Sequence, residues 1–294
     1  RVLPWPAGFQ WTLNVRHDLD RPLPAFWVRD VVARHAATGT SATWYWRSRH
    51  VRGASTRSRR LVRLATALIP SAIKVVAQRD RHEIAHHTER PWTPVGEREQ
   101  RLIEAATGRP VHGTSAHGDP TMFRFQGAPN VLWAEHLGLL YTELIQHAHY
   151  HPHRFPALAP DGSMDILGVL CLPHHVSFDN SMAEGDNDPD RVLQSAERFR
   201  RAGGLLQVLN HPDIHINALF STLAEIPRDG RLDWTAAEAA DWWRRTHTSD
   251  ALTIDAVDGG FEVSAREPVE ALQLEILEPD GERRIVTVDL AAGS

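Results

Sequence analysis

Long apolar runs are missing from this 294-residue chain. Arg, Pro or Lys breaks each apolar patch before it reaches the roughly 18 residues that a membrane-crossing helix needs, so no transmembrane helix is expected. Cysteine is all but absent. The single Cys171, inside the apolar run Ile166–Leu172, cannot close an internal disulfide and reads as an inert core thiol. That fits a reducing compartment, with the cytoplasm as the expected location. An excess of positive charge is also missing: 32 Lys and Arg stand against 37 Asp and Glu, and the net charge of −5 argues against general nucleic-acid binding. No internal repeat or low-complexity tract is visible. Apolar residues at 42% and charged residues at 23% exclude a disordered or fibrous class.

One long stretch lacks acid altogether. Between Asp30 and Asp80 there is no Asp or Glu, while Arg recurs throughout. Within it, residues 57–77 mix basic and apolar side chains. Such a segment can lie on an anionic membrane surface, or clamp the phosphate of a lipid- or nucleotide-linked sugar. It can equally be an amphipathic crossover packed on the fold with its Arg face in water.

What the chain has in number is histidine, 18 in all. Histidine is the commonest metal ligand and the acid/base residue active near neutrality, so the placement of these residues matters. Strand-like runs recur along the chain: Phe9–Val15, Ser41–Trp46, His82–His86, Val111–Ala116, Leu139–Ile145, Ile166–Leu172 and Leu205–Leu209. Between them lie helix signals. Pro24 opens a helix that Gly39 ends. Glu97–Thr107 is closed by Gly108, and Asn130–Leu137 is helical. Asp188 caps Pro189–Ala202 ahead of Gly203, and Thr235 with Glu238 forms a capping box for Thr235–Thr246. About seven strands joined by helical crossovers predict an α/β fold with a parallel sheet, one strand short of a full eight-stranded barrel. From Ala251 the pattern turns to short runs separated by Asp258-Gly259-Gly260 and Pro279-Asp280-Gly281 turns. The expected organisation is therefore an incomplete seven-stranded (β/α) barrel over residues 1–249 and a small antiparallel β appendage over 250–294.

In parallel α/β folds active sites form at the carboxyl ends of strands. The first strand ends in Arg16-His17-Asp18-Leu19-Asp20, where Asp18 and Asp20 point the same way in extended chain. The third ends in His82-Glu83-Ile84-Ala85-His86-His87-Thr88-Glu89, the fourth in His117-Gly118-Asp119-Pro120, the last in Asn210-His211-Pro212. Three strand ends bearing His beside a fourth bearing D-x-D point to a metal-dependent hydrolase. His147, His149, His151 and His153 form a further alternating row, in a stretch that Pro152 and Pro156 mark as a loop. Such a row can bind adventitious metal.

These segments resemble the motifs of the polysaccharide deacetylase family, the NodB-homology carbohydrate esterases, over about residues 9–247. Arg16–Asp20 is similar to the first motif in its H-D-x-D variant, His82–Thr88 to the second, His117–Pro120 stands in the place of the third, and Leu209–Pro212 is similar to the late L-x-H motif. The resemblance implies an incomplete barrel that removes an N-acetyl or other small N-acyl group from an amino sugar or glycan. It implies Asp18 as base, Asp20 and His87 as ligands of a divalent metal, zinc above others, and His211 as general acid. The chain departs from the family where its second motif carries another His, because Pro91 occupies that position. His117 is then the favoured third ligand, with His86 and Glu89 as competitors. Arg124 or Arg16 is left to orient the base. Arg16, Trp46, Trp92 and Arg124 are the substrate-facing candidates. Trp44, Trp46, Trp92 and Phe123 could stack on a sugar ring or merely fill the barrel wall or a lid. The implied chemistry is hydrolytic: the metal acidifies water and polarises the acyl carbonyl, Asp18 takes the proton, and His211 protonates the leaving amine. Two other readings stand beside it: an inactive carbohydrate-binding module, and a metal amidohydrolase acting on a non-sugar amide.

Overall fold

All nine residues of the first strand, β1 (Trp11–Leu19), are buried, although they alternate between two chemistries. Trp11, Leu13, Val15 and Leu19 join an apolar cluster beneath the helices, and Asn14, Arg16 and Asp18 take the other face. A strand covered on both sides belongs inside a parallel sheet. In this computed structural model, which describes residues 1–20, 23–47, 72–88, 94–116, 127–143, 149–158, 162–173, 175–179, 187–278 and 280–292, β1 lies near the middle of such a sheet.

Its neighbours are β2 (Ala42–Trp46), β3 (His82–Thr88), β4 (Gly113–Ala116), β5 (Tyr141–Glu143), β6 (His153–Leu158), β7 (Met164–Leu172), β8 (His175–Ser177), β9 (Leu205–Asn210) and β10 (Arg231–Asp233), in the order β6-β7-β5-β4-β3-β2-β1-β9-β8, with β10 also on β1. Every pairing is parallel except β6 with β7. The sheet curls, and among the described residues its path of paired strands ends at β6 and β8 without closing, so it is an incomplete (β/α) barrel. All the strands expected from the sequence are present. The short strands β8 and β10 carry too few residues to show a period. β6 contains Pro156, which an edge strand tolerates at the register shift where it meets β7.

Among the described residues the helices include α1 (Ala25–Thr38), α2 (Pro94–Thr107), α3 (Gly127–His136), α4 (Pro189–Ala202), α5 (Ile216–Glu225) and α6 (Ala236–His247). Gly39 ends α1 at φ 65°, in the left-handed region that favours glycine. Asp188 caps α4 by accepting from the Arg191 N–H. α5 was not foreseen: it starts after His215 with no side-chain cap, so no start signal marks it. α6 has the expected capping box between Thr235 and Glu238. Its small buried residues Ala236, Ala239 and Ala240 let it lie close to the barrel. There its first N–H groups, which have no partner within the helix, donate to Thr43 Oγ1 (Ala236, 2.8 Å) and Glu83 Oε2 (Ala237, 2.9 Å).

β11 (Leu252–Val257) with β12 (Gly260–Ala265), and β13 (Val269–Leu277) with β14 (Arg283–Leu290), form two antiparallel hairpins. These residues share an apolar cluster with the barrel, in which Val269, Leu272 and Leu274 meet Trp5, Trp242 and Leu205. The amino terminus joins them, with Leu3 and Ala7 donating to Gln273 and Ala271. Cys171 is buried, and burial pushes its thiol up to about 12, in keeping with an inert core residue. Most of the 57–77 segment lies outside the described residues. Of its end, Ala72, Ile73 and Val76 are buried in the main core while Lys74 is exposed.

Candidate active site

Parallel register is what gathers the polar side chains. His87 of β3 is the rung partner of Ser115 in β4, and Ser115 is the rung partner of Glu143 in β5. On the other side of β3, Asp18 of β1 is paired with Tyr45 of β2. With Arg16, these residues are each at most 4% exposed.

His87 is the hub. Its Nε2 lies 3.2 Å from Asp20 Oδ1 and 3.5 Å from Asp18 Oδ2, and its Nδ1 lies 3.1 Å from Ser115 Oγ. The other oxygen of Asp20 is 3.4 Å from His211 Nε2. His211 in turn has Nδ1 at 2.8 Å from Asp179 Oδ1, and Asp179 Oδ2 accepts from the His211 main-chain N–H (2.6 Å) and from Asn210 Nδ2 (2.5 Å). Four of the five residues on which the sequence reading stood, Asp18, Asp20, His87 and His211, therefore share one cluster. The fifth, His117, lies outside the described residues, as do Glu89, Pro91, Trp92, Phe123 and Arg124.

The charges are set by pairing against burial. Burial would raise the Asp18 carboxyl, but the Arg16 guanidinium outweighs it and, with His87, holds the group down at about 2. Burial would lower Arg16, yet Asp18 and Glu143 lift it above its ordinary value. For His211, burial works downward and is outweighed by hydrogen bonds to Asp179 and Asp20, so the imidazole is pushed up to about 10.

An imidazole nitrogen and a carboxylate facing each other, as His87 Nε2 and Asp20 do, make a donor pair suited to zinc or another first-row divalent ion. Ser115 at the far nitrogen is the kind of partner that fixes a ligating imidazole. These two residues fit such an ion. Among the described residues no group of three or more His, Cys, Asp or Glu is arranged to hold one.

Two of the expected substrate contacts are closed to a substrate. Arg16 is buried and committed: Nε and Nη2 both donate to Asp18 at 2.7 Å, Nη2 also to Ser115 Oγ at 2.6 Å, and Nη1 to Glu143. It holds Asp18, and its polar edge is spent on protein partners and is not open to a sugar. Trp46, with Trp44, falls on the helix-facing side of β2 in the main apolar core, because alternation sends Tyr45 inward instead. His86 also faces away from the cluster, with Nε2 3.3 Å from Glu99, which removes it from the competing ligands. In the histidine row, His151 stacks on Trp243 at 5.3 Å and its Nε2 lies 2.8 Å from the Gly203 carbonyl oxygen. His149 and His153 lie ring against ring at 4.4 Å. His147 lies outside the described residues.

No protein-family model and no curated protein sequence matches the chain. Among solved structures, a Mycobacterium smegmatis protein described as a polysaccharide deacetylase superposes with a TM-score of 0.58 at 19% identity, over 82% of this chain and 92% of that one. The chain has the fold of the polysaccharide deacetylases. A peptidoglycan N-acetylglucosamine deacetylase catalytic domain from Eubacterium rectale ATCC 33656 is also similar, at TM-score 0.46 and 12% identity over 80% of this chain and 92% of that one.

Within this fold, Glu143, Tyr45 and Asp179 join the cluster without having been singled out from the sequence. Glu143 had a signal, as the one charged residue of the run Leu139–Ile145. Tyr45, between Trp44 and Trp46, could be picked out only by strand alternation. Asp179 follows Phe178 with no motif spacing to tie it to His211, 32 residues away.

Proposed function

We propose that the chain is a hydrolase that removes an N-acetyl or other small N-acyl group from an amino sugar or glycan. The observation that carries this reading is the contact of one imidazole nitrogen, His87 Nε2, with both Asp18 and Asp20, while the second oxygen of Asp20 faces His211. Base, ligand pair and acid thus surround one point at the barrel mouth. The fold shared with polysaccharide deacetylases adds support.

Asp20 and His87, with His117, would hold a divalent cation, zinc above others. When bound, that ion supplies positive charge that acidifies water and polarises the acyl carbonyl. Asp18, fixed by two hydrogen bonds from Arg16, stays ionised and keeps an oxygen turned toward His87 to accept the proton of the attacking water. His211 presents Nε2 to the same space and holds a proton there for the nitrogen of the departing amino sugar, since an unprotonated amine is a very poor leaving group. Asp179 holds the ring by Nδ1, which keeps Nε2 aimed inward.

Release of acetate from N-acetylglucosamine oligomers tests the reading. The zinc-loaded protein should release acetate, a chelator should stop it, and zinc should restore it. Zinc and oligomer binding without release would leave a binding module, and release from simple amides alone would point to a non-sugar amidohydrolase.

A further inference from the structure

We propose that Glu143, at the end of β5, is a positioning residue for the base Asp18, acting through Arg16. This rests on the reading of Asp18 as base. Arg16 and Asp18 are two residues apart on one strand, and such neighbours do not by themselves fix the angle at which a guanidinium meets a carboxylate. Three other contacts do. Glu143 Oε2 accepts from Arg16 Nη1, Ser115 Oγ accepts from Nη2 at 2.6 Å, and the Tyr45 ring lies under the guanidinium at 4.7 Å. The Tyr45 hydroxyl donates to Glu143 Oε1 at 2.5 Å, so both carboxylate oxygens of Glu143 are engaged. Held this way, Arg16 offers the edge formed by Nε and Nη2 to Asp18 in a two-bond fork, which leaves Asp18 a single rotamer, with Oδ2 toward His87.

The support continues downward. Tyr45 and Tyr141 hydroxyls are 3.3 Å apart, Tyr141 donates to Glu83 at 2.8 Å, and Glu83 accepts from Thr43 and from the first turn of α6. A buried polar column thus runs from the amino end of α6 to the base. A polar column of this cost in a barrel interior is kept only if every member is satisfied, and Glu143 is the member that links the column to the guanidinium.

The test compares Glu143→Leu, Glu143→Gln, Tyr45→Phe and Asp18→Asn in the zinc-loaded full chain, with acetate release from N-acetylglucosamine oligomers and a crystal structure of each variant. Glu143→Leu strands a buried Arg16 N–H, and kcat should fall on the order of 10²-fold with KM little changed, as a misplacement of about 1 Å would cause. Glu143→Gln keeps an acceptor for Arg16 and turns an amide N–H toward Tyr45, whose hydroxyl then accepts instead of donating, and should recover kcat to within about tenfold of wild type. Tyr45→Phe, which keeps the ring and is the gentler change if the leucine variant fails to fold, should lower kcat severalfold. The structures should show Asp18 turned away from its fork with Arg16 in Glu143→Leu and restored in Glu143→Gln, whatever acyl substrate the enzyme takes. An unmoved Asp18 with wild-type kcat in the leucine and phenylalanine variants overturns the positioning role alone. Wild-type release by Asp18→Asn overturns instead the reading beneath it.

Discussion

Asp179 grips His211 twice: one carboxylate oxygen lies 2.8 Å from Nδ1 of the ring, and the other accepts the main-chain N–H of the same residue at 2.6 Å. Such a grip fixes the ring plane and leaves the outer nitrogen facing the cluster. Asp179→Asn should preserve the fold but lower kcat on the order of 10²-fold or more, the usual worth of a general acid, with a much smaller change in KM. Steady-state kinetics decide this, and an unchanged kcat would leave Asp179 a purely structural partner.

The helix-facing side of the first three strands carries a second histidine group. His17 and His35 face each other through Nε2 atoms 2.8 Å apart, and His82 lies beside His35, with ring centroids 5.3 Å apart. Burial holds all three well below their ordinary value, His17 at about 3 and His82 at about 4, with neighbouring histidines adding to it for His17 and His35. As pH falls below about 6.5 the unfolded chain takes up these protons first. The folded state therefore loses stability toward about 4 and below, by up to about 1.4 kcal/mol per pH unit for each histidine. Glu83 and Glu143, which burial raises to about 7, bind protons in the folded chain first and act in the opposite sense. The histidine contribution is thus read as a difference. Between pH 7 and pH 5, wild type should lose more stability to urea than His35→Phe, and parallel losses would contradict the argument.

Gly113 is required by a neighbour. A Cβ built there would fall 2.0 Å from the ring of Tyr141, which crosses the β4 backbone to reach Glu83 and Tyr45. Gly113→Ala must push that ring aside, so a loss of about 1–3 kcal/mol or more is expected in chemical denaturation. Displacing Tyr141 also cuts the column beneath Arg16, so kcat should fall as well. A variant as stable as wild type would show that the ring has room to move.

The strands and most helices could be read from the sequence because period, caps and Gly stops are local signals. Asp188, Gly203 and the Thr235–Glu238 box lie where the sequence placed them. Asp18, Asp20, His87 and His211 were legible because each lies at a strand end, where ends share one mouth in this fold, and because each matches a position of the motifs the sequence resembles. Glu143, Tyr45 and Asp179 were not, because their importance comes from which strand lies next to which, and register is a property of the assembled sheet. Trp46 failed for a related reason: one step along a strand moves a side chain to the other face. α5 was missed because it begins without a cap.

As proposed, Asp18 and His87 serve different offices at one hydrolytic centre. Zinc content and acetate release, measured side by side on Asp18→Asn and His87→Ala, test it directly. The asparagine variant should keep its zinc and lose turnover, and the alanine variant should lose both. Full turnover in either protein, or equal zinc in both, would contradict the account.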